Sequence, residues 1–465
     1  MERIYSAFFT NERRQEIELT AEALEKHNEK QSQVDLQELQ AHREARNPQG
    51  DRDEEEDDER DEQALALTGR RLQQRQDAAT RALLRQELKS AVKAALKAFL
   101  YAYGAKAFTA MLMASRKWSS IEYGYADAVR LLLRADTIRF GAFSGSLVGL
   151  FRITEIVMRL ARGKKDATNL AVAGGVSGLA LLIDSPSRRS TVAVYILVRM
   201  LDVLGRQLTA DGVLPKYKYS SECLFALCNA IIMYAVVVDH TLLPKGYYQW
   251  ILRVGCMNHE GLEYTFRRSL RGELGPDGKP LPFRICQPHY HMESCVTHGA
   301  KEWVNGLGRS LQIYLPVHFL PALIFRFNQL KNAPLTSTAK VSYAALCSSA
   351  FLTSYQTTGK LALCVLRNTM QRDSPIQGLF AGAMAGTSLF FEDPKRRLEL
   401  MLYCFPRALD VVWKVLQRRR LVRYVRHSEV VLFCMSMAII MSRPSQHFKP
   451  TYLRIIRFIF GGNVL

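Results

Sequence analysis

The second half of the chain repeats the first. Residues 141–208 pair with 349–416 without a gap, and 18 of the 68 pairs are identical. Unrelated sequences match at roughly one position in sixteen, which gives about four matches over this length, so the pattern reads as an internal duplication. Pro186-Ser187-Arg188-Arg189 meets Pro394-Lys395-Arg396-Arg397. Tyr195, Arg199, Leu201, Asp202 and Val203 meet Tyr403, Arg407, Leu409, Asp410 and Val411. Whatever the unit folds into, the chain contains it twice.

The unit is built from uncharged stretches. They run 167–183, 223–238, 310–325, 341–359 and 374–391, each bounded by Asp, Glu, Lys or Arg. A membrane-spanning helix needs about 20 largely apolar residues, and each stretch reaches that length when extended by one turn. Flanking Lys and Arg can carry their charges back to the surface. The expected fold is therefore all-α: a multi-pass helical membrane protein of two tandem repeats, four to five helices each, with a polar acidic N-terminal region. Helices are expected near 141–160, 168–183, 190–208 and 222–243, then near 349–366, 375–391, 398–416 and 429–441. A lead-in helix precedes each set, near 92–114 and 303–326.

Charge is unevenly placed. The chain carries 63 Lys and Arg against 44 Asp and Glu, a net of +19. Residues 1–92 are net −7 and the remainder net +26. Asp51 to Glu62 holds ten acids in twelve residues, a density that reads as disordered. The basic residues flank apolar runs instead of sharing a polar face with aromatics, so no nucleic-acid partner is expected. The expected organisation is an acidic region over 1–91, a first repeat over 92–257, a Cys/His-containing connector over 258–302 and a second repeat over 303–463. The start carries no apolar leader, so no secretory signal is expected.

Gly141, Gly145 and Gly149, Gly174 and Gly178, and Gly378, Gly382 and Gly386 recur every four residues. Small residues at that spacing line one helix face and let backbones approach closely, so these glycines are expected at helix contacts. Arg199 and Asp202 lie three apart, as do Arg407 and Asp410, and each pair is expected to neutralise itself within a span. Arg152 and Arg159 match Lys360 and Arg367, a cationic stripe of period seven. Arg188, Arg189, Arg396 and Arg397 follow a proline at a helix start, where the helix dipole disfavours cations. They are candidates for binding anionic lipid head groups.

Cys286, His289, His291, Cys295 and His298 form a cluster of thiol and imidazole groups, the donors that suit zinc. Their spacing fits no standard finger, and a polar loop of reduced cysteines is the favoured reading over a metal site. The nine cysteines are scattered and odd in number, which implies no disulfide framework. No catalytic triad order, phosphate-cradling loop or paired carboxylate stands out. No catalytic residue, cofactor or enzymatic activity is expected.

Several stretches resemble the transmembrane protein 135 family. They include Cys286 to Cys295, Ser310-Leu311-Gln312-Ile313-Tyr314-Leu315-Pro316 and Leu320-Pro321-Ala322-Leu323. Lys395-Arg396-Arg397, Ser428 to Cys434 and Leu453 to Gly461 continue the likeness. In the first half it rests on Gly141 to Ser146, Ala173 to Gly178 and Pro244 to Arg253. The glycine-rich helices are more distantly similar to subunits of the mitochondrial inner-membrane translocases. The resemblance implies a multi-pass protein of the peroxisomal membrane, or alternatively the mitochondrial one. It implies a non-enzymatic role in lipid homeostasis and organelle dynamics, with membrane lipids and other organelle membrane proteins as partners. The alternative is a translocase or channel-like subunit.

Overall fold

The computed structural model describes residues 54–115, 130, 132–287, 291–325, 327–423 and 425–460. Among these residues there is no strand, and the chain is all-α. Its main helices are α1 (Glu54–Ser115), α2 (Ala135–Arg162), α3 (Ala167–Ser177), α4 (Pro186–Ala210), α5 (Ser220–Val238), α6 (Lys245–Gly255), α7 (Cys295–Phe325), α8 (Pro334–Met370), α9 (Pro375–Gly386), α10 (Pro394–Arg418), α11 (Ser428–Met441) and α12 (Pro450–Phe460). Short 3-10 turns, Gly178–Ile183 and Thr387–Phe391, continue α3 and α9.

The same local chemistry starts and stops the helices in both halves. Helices α3, α4 and α5 begin at Ala167, Pro186 and Ser220, and α9, α10 and α11 begin at the positions aligned with them in sequence, Pro375, Pro394 and Ser428. Pro186 and Pro394 open α4 and α10, where a proline costs no hydrogen bond and presets the backbone. Asp166 caps α3 by accepting from the Asn169 N–H. Ser374 caps α9 within a capping box closed by Gln377. Helix α2 ends at Gly163 and α8 at Gln371, both in the left-handed region at φ of 61° and 48°.

The described chain forms two compact units, one of residues up to Ile183 together with those from Lys449, the other Asp184–Phe448. They do not follow the sequence boundaries 92–257 and 303–463, because the closing segments of the two halves are exchanged. In the second unit α5 packs against α9 and α10, and α6 against α8. There too α11 packs against α4, and α8 against α7 and α9. In the first unit α2 packs against α1 and α3, and α12 lies on α2 and α1.

Two expectations change. The acidic run read as disordered supplies the first turns of α1 from Glu54 onward; acids at a helix start are favoured by its dipole. Residues 51–53 lie outside the described residues. The five uncharged stretches also do not become five long helices. Among the described residues, two helices are long and apolar enough to cross a membrane, Ala135–Arg162 and Ser220–Val238. Ala167–Ile183 and Ser428–Met441 are apolar but shorter, and the first is broken where α3 tightens to 3-10 geometry at Gly178.

Candidate functional site

Polar groups line the interior face of α8. Ser348, Thr353, Lys360, Cys364 and Arg367 are all buried. Leu346 and Val365 of the same helix are exposed. Each buried polar group reaches a partner on another segment. Ser348 donates to Glu392 at 3.0 Å and accepts from Arg396 at 2.7 Å. Thr353 donates to Ser310 at 3.0 Å. Lys360 Nζ lies 2.6 Å from Glu302 and 2.8 Å from the Gly255 carbonyl, so it ties α7 and the end of α6 to α8. Tyr355 donates to Asn229 of α5 at 2.7 Å.

At the far end of this face lies a thiol and imidazole cluster. The ligand atoms of Cys286, His291 and Cys364 lie within 4.8 Å of one another, and all three side chains are buried. His291 Nε2 is 3.6 Å from Cys364 Sγ and 3.7 Å from Cys295 Sγ. His291 Nδ1 is 2.6 Å from the Glu293 carbonyl, which holds the ring with Nε2 towards the thiols. Arg367 donates to Cys286 Sγ at 3.4 Å, and Asn368 donates to Cys295 Sγ at 3.1 Å. The Cys286 thiol is drawn down by its hydrogen bond with Cys364 and by the Arg367 charge, against the opposing effect of burial.

Of the sequence candidates, Cys286, His291 and Cys295 thus come together. His298 stacks face to face on His291, with ring centroids 4.7 Å apart, and supports it from behind. His289 lies outside the described residues. The residue that sequence reasoning missed is Cys364. Its signal is present in the pattern, because Lys360, Cys364 and Arg367 share one helix face at i, i+4 and i+7.

The paired-charge expectation is corrected. Asp202 bonds to Arg206 at 3.2 Å and Asp410 to Lys414 at 3.0 Å, each four residues on instead of three back. An acid followed four residues later by a base is the better-aligned helical pair. Arg199 instead lies 3.7 Å from Glu399, and Arg407 sits over the Tyr247 ring at 5.5 Å.

The arginine pairs after the prolines turn inward in both halves. Arg188 pairs with Asp184, and Arg189 donates to the Asp184 carbonyl at 3.1 Å. Arg396 lies 3.2 Å from Glu392 and 3.0 Å from His318, and Arg397 donates to the Glu392 carbonyl at 3.0 Å. Arg397 also reaches Glu222 of α5 at 2.9 Å. In each half these bonds bring the arginines to a buried carboxylate, Asp184 or Glu392, and to its backbone carbonyl at the turn before the helix, so the arginines contribute to the fold there. Arg396→Ala is expected to lower thermal stability in detergent by about 2 kcal/mol, a buried-pair loss discounted for the partial exposure of Arg396. The loss should be the same with and without anionic lipid; a loss seen only with lipid would restore the head-group role.

Two of the three glycine sets lie at helix contacts. A Cβ on Gly141, Gly145 or Gly149 would meet Phe99, Ala95 or both on α1, at 3.0 to 3.3 Å. On α9, Gly378, Gly382 and Gly386 lie against Tyr234, Ala230 and Ala226 of α5, so the two helices run antiparallel there. Gly174 is buried in α3 and Gly178 in the 3-10 turn that continues it. No family model matches the chain, and no solved structure matches it.

Proposed function

We propose that the chain is a multi-pass protein of an organelle membrane that supports lipid homeostasis and organelle dynamics without catalysis. The observation that carries the membrane part is the inverted packing of α9. Its buried face is Gln377, Gly378, Ala381, Gly382, Ala385 and Gly386. Its exposed face is Ile376, Leu379, Phe380 and Met384, and the turn after it exposes Phe390 and Phe391. A helix in water hides its large apolar side chains. A helix in lipid does the reverse, because small residues pack helices and large apolar ones meet acyl chains. The equivalent α3 follows suit, burying Asn169, Ala173, Gly174 and Ser177 while Val172 is exposed.

In this reading the two halves descend from one duplicated helical unit, each with a broken apolar segment whose 3-10 turn ends at an acid and a proline. The equal offset between the starts of α3 and α9, of α4 and α10, and of α5 and α11 supports it. The resemblance to the transmembrane protein 135 family supports the organelle setting, peroxisome first and mitochondrion as alternative, with membrane lipids as partners. A translocase or channel-like role is the second reading, favoured by the polar face of α8. Lys360, Arg367 and Arg396 on and beside that face are bonded to protein groups, which favours a static core over a passage.

Phe380→Arg separates a membrane protein from a soluble one. Placed in lipid, the arginine should cost about 2.5 to 3.5 kcal/mol on insertion scales and reduce the carbonate-resistant membrane fraction. Unchanged expression as a soluble chain would sink the membrane reading. The lipid role is tested by deleting the gene and following peroxisome and mitochondrion shape with total lipid composition. Normal organelles and lipids would count against it, and substrate passage in liposomes would favour the translocase.

A further inference from the structure

We propose that Cys286, His291, Cys295 and Cys364 form a closed, structural zinc site that fastens the connector to α8 and to the start of α7. The donor set is three thiols and one imidazole, the combination that suits a four-coordinate zinc ion with no open position. Zinc–sulfur and zinc–nitrogen lengths of about 2.3 and 2.0–2.1 Å place tetrahedral sulfur and nitrogen ligands roughly 3.6 Å apart. His291 Nε2 stands 3.6 Å from Cys364 Sγ and 3.7 Å from Cys295 Sγ. The Cys286, His291 and Cys364 donor atoms converge within 4.8 Å.

The groups around the donors are those a zinc thiolate centre needs. The Glu293 carbonyl accepts from His291 Nδ1 at 2.6 Å, which fixes the tautomer that presents the Nε2 lone pair to the thiols. Arg367 and Asn368 each donate to a thiol sulfur, at 3.4 and 3.1 Å, and such bonds offset the negative charge that three thiolates bring to a dication. His298 stacks on the ligating ring. Cys286 and Cys364 are 1% and 2% exposed, His291 is buried and Cys295 is half-buried at the rim, so three of the four donors lie away from solvent, as a structural metal requires. The ligands run from Cys286 in the connector through Cys295 at the start of α7 to Cys364 in α8, so the ion would hold together segments that are distant in sequence. The inference is independent of the membrane reading and of any lipid role.

The test uses the untagged full-length chain purified in detergent, with bound metal measured by mass spectrometry. About one zinc ion per chain is expected, with loss of most of it in Cys364→Ala and His291→Ala and none in Cys223→Ala or Cys434→Ala. Asn368→Ala should weaken zinc affinity roughly tenfold to a hundredfold. Because Cys364→Ala can also fail by unfolding, two further measurements are made. Cobalt added to the chelator-stripped wild type should give the intense visible bands of a tetrahedral thiolate complex. Cys364→His keeps a ligand and should retain zinc with an altered cobalt spectrum. Absence of both zinc and the cobalt bands overturns the proposal, as does zinc that survives in a folded Cys364→Ala. Reductant-dependent recovery of two blocked thiols at Cys286 and Cys364 would overturn it in favour of a disulfide.

Discussion

Gly382→Ala is expected to push α9 off α5 and to lower thermal stability by about 3 kcal/mol or more, the upper end of overpacking losses. The added Cβ would lie 2.2 Å from the Asn229 carbonyl oxygen and 2.7 Å from Ala230 Cα. Both are backbone atoms, so no side chain can rotate away and the helices themselves must part. Gly386→Ala should follow closely, with Ala226 Cα at 2.5 Å. Gly378→Ala meets its nearest atom, Tyr234 Cα, at 3.3 Å and should cost far less. Gly104 on α1 has nothing within 4 Å of a built Cβ, and its alanine variant should be neutral or gain up to about 1 kcal/mol from helix propensity. Thermal unfolding of the four variants in one detergent reads this order. A Gly382→Ala chain as stable as the parent would mean that α9 and α5 do not touch as described.

That gradient also marks how far the glycine pattern is readable. A period of four names a helix face without naming its partner. The triple at Gly141 meets α1, which comes before it in sequence, while the triple at Gly378 meets α5, which belongs to the other half. The exchange of closing segments depends on which apolar faces find each other after the helices form. The aligned segments of the two halves offer similar apolar faces, so local pattern cannot choose between pairing within a half and pairing across halves. Helix starts are more legible, because Pro186, Pro394 and the acid before each act within one turn. The duplicated Arg/Asp spacing is legible as a pattern but does not form a pair. The competing bases at Arg206 and Lys414 lie four residues on, where helix geometry aligns a carboxylate better.

The candidate site is half visible for a similar reason. Cys286, His291 and Cys295 stand close in sequence and read as a group. Their fourth companion, Cys364, lies far beyond Cys295, just past an uncharged stretch that points to lipid instead of chemistry. Lys360 and Arg367 flank it as a cationic stripe, and a snorkelling reading would send both to the surface. Instead both turn inward: Lys360 to Glu302, and Arg367 to four acceptors outside the helix. A cation can be kept in such an interior only when every face of it is answered.

Arg367→Leu should therefore be among the most damaging single changes outside the glycines, with an expected loss of about 4 kcal/mol. Arg367 pairs with Asp373 at 2.7 Å, and both side chains are almost fully buried. It also donates to the carbonyls of Thr265 and Arg284 at 2.8 and 2.9 Å, and it lies against the Phe266 and Phe283 rings at 5.2 and 5.1 Å. Removing it leaves one buried carboxylate without its cation and two carbonyls without this donor, which is where the cost arises. Arg367→Lys should recover little, because an ammonium on a flexible stem cannot reproduce the planar fork that reaches several acceptors at once. The double variant Arg367→Leu with Asp373→Leu should recover part of the loss, since it removes the uncompensated charge but leaves the carbonyls bare. Denaturant or thermal unfolding of the three variants measures this. If the double variant is as unstable as Arg367→Leu alone, the carbonyl bonds dominate and the ion pair is incidental. If Arg367→Lys matches the parent, the guanidinium geometry does not matter and the connector is held to α8 by something else.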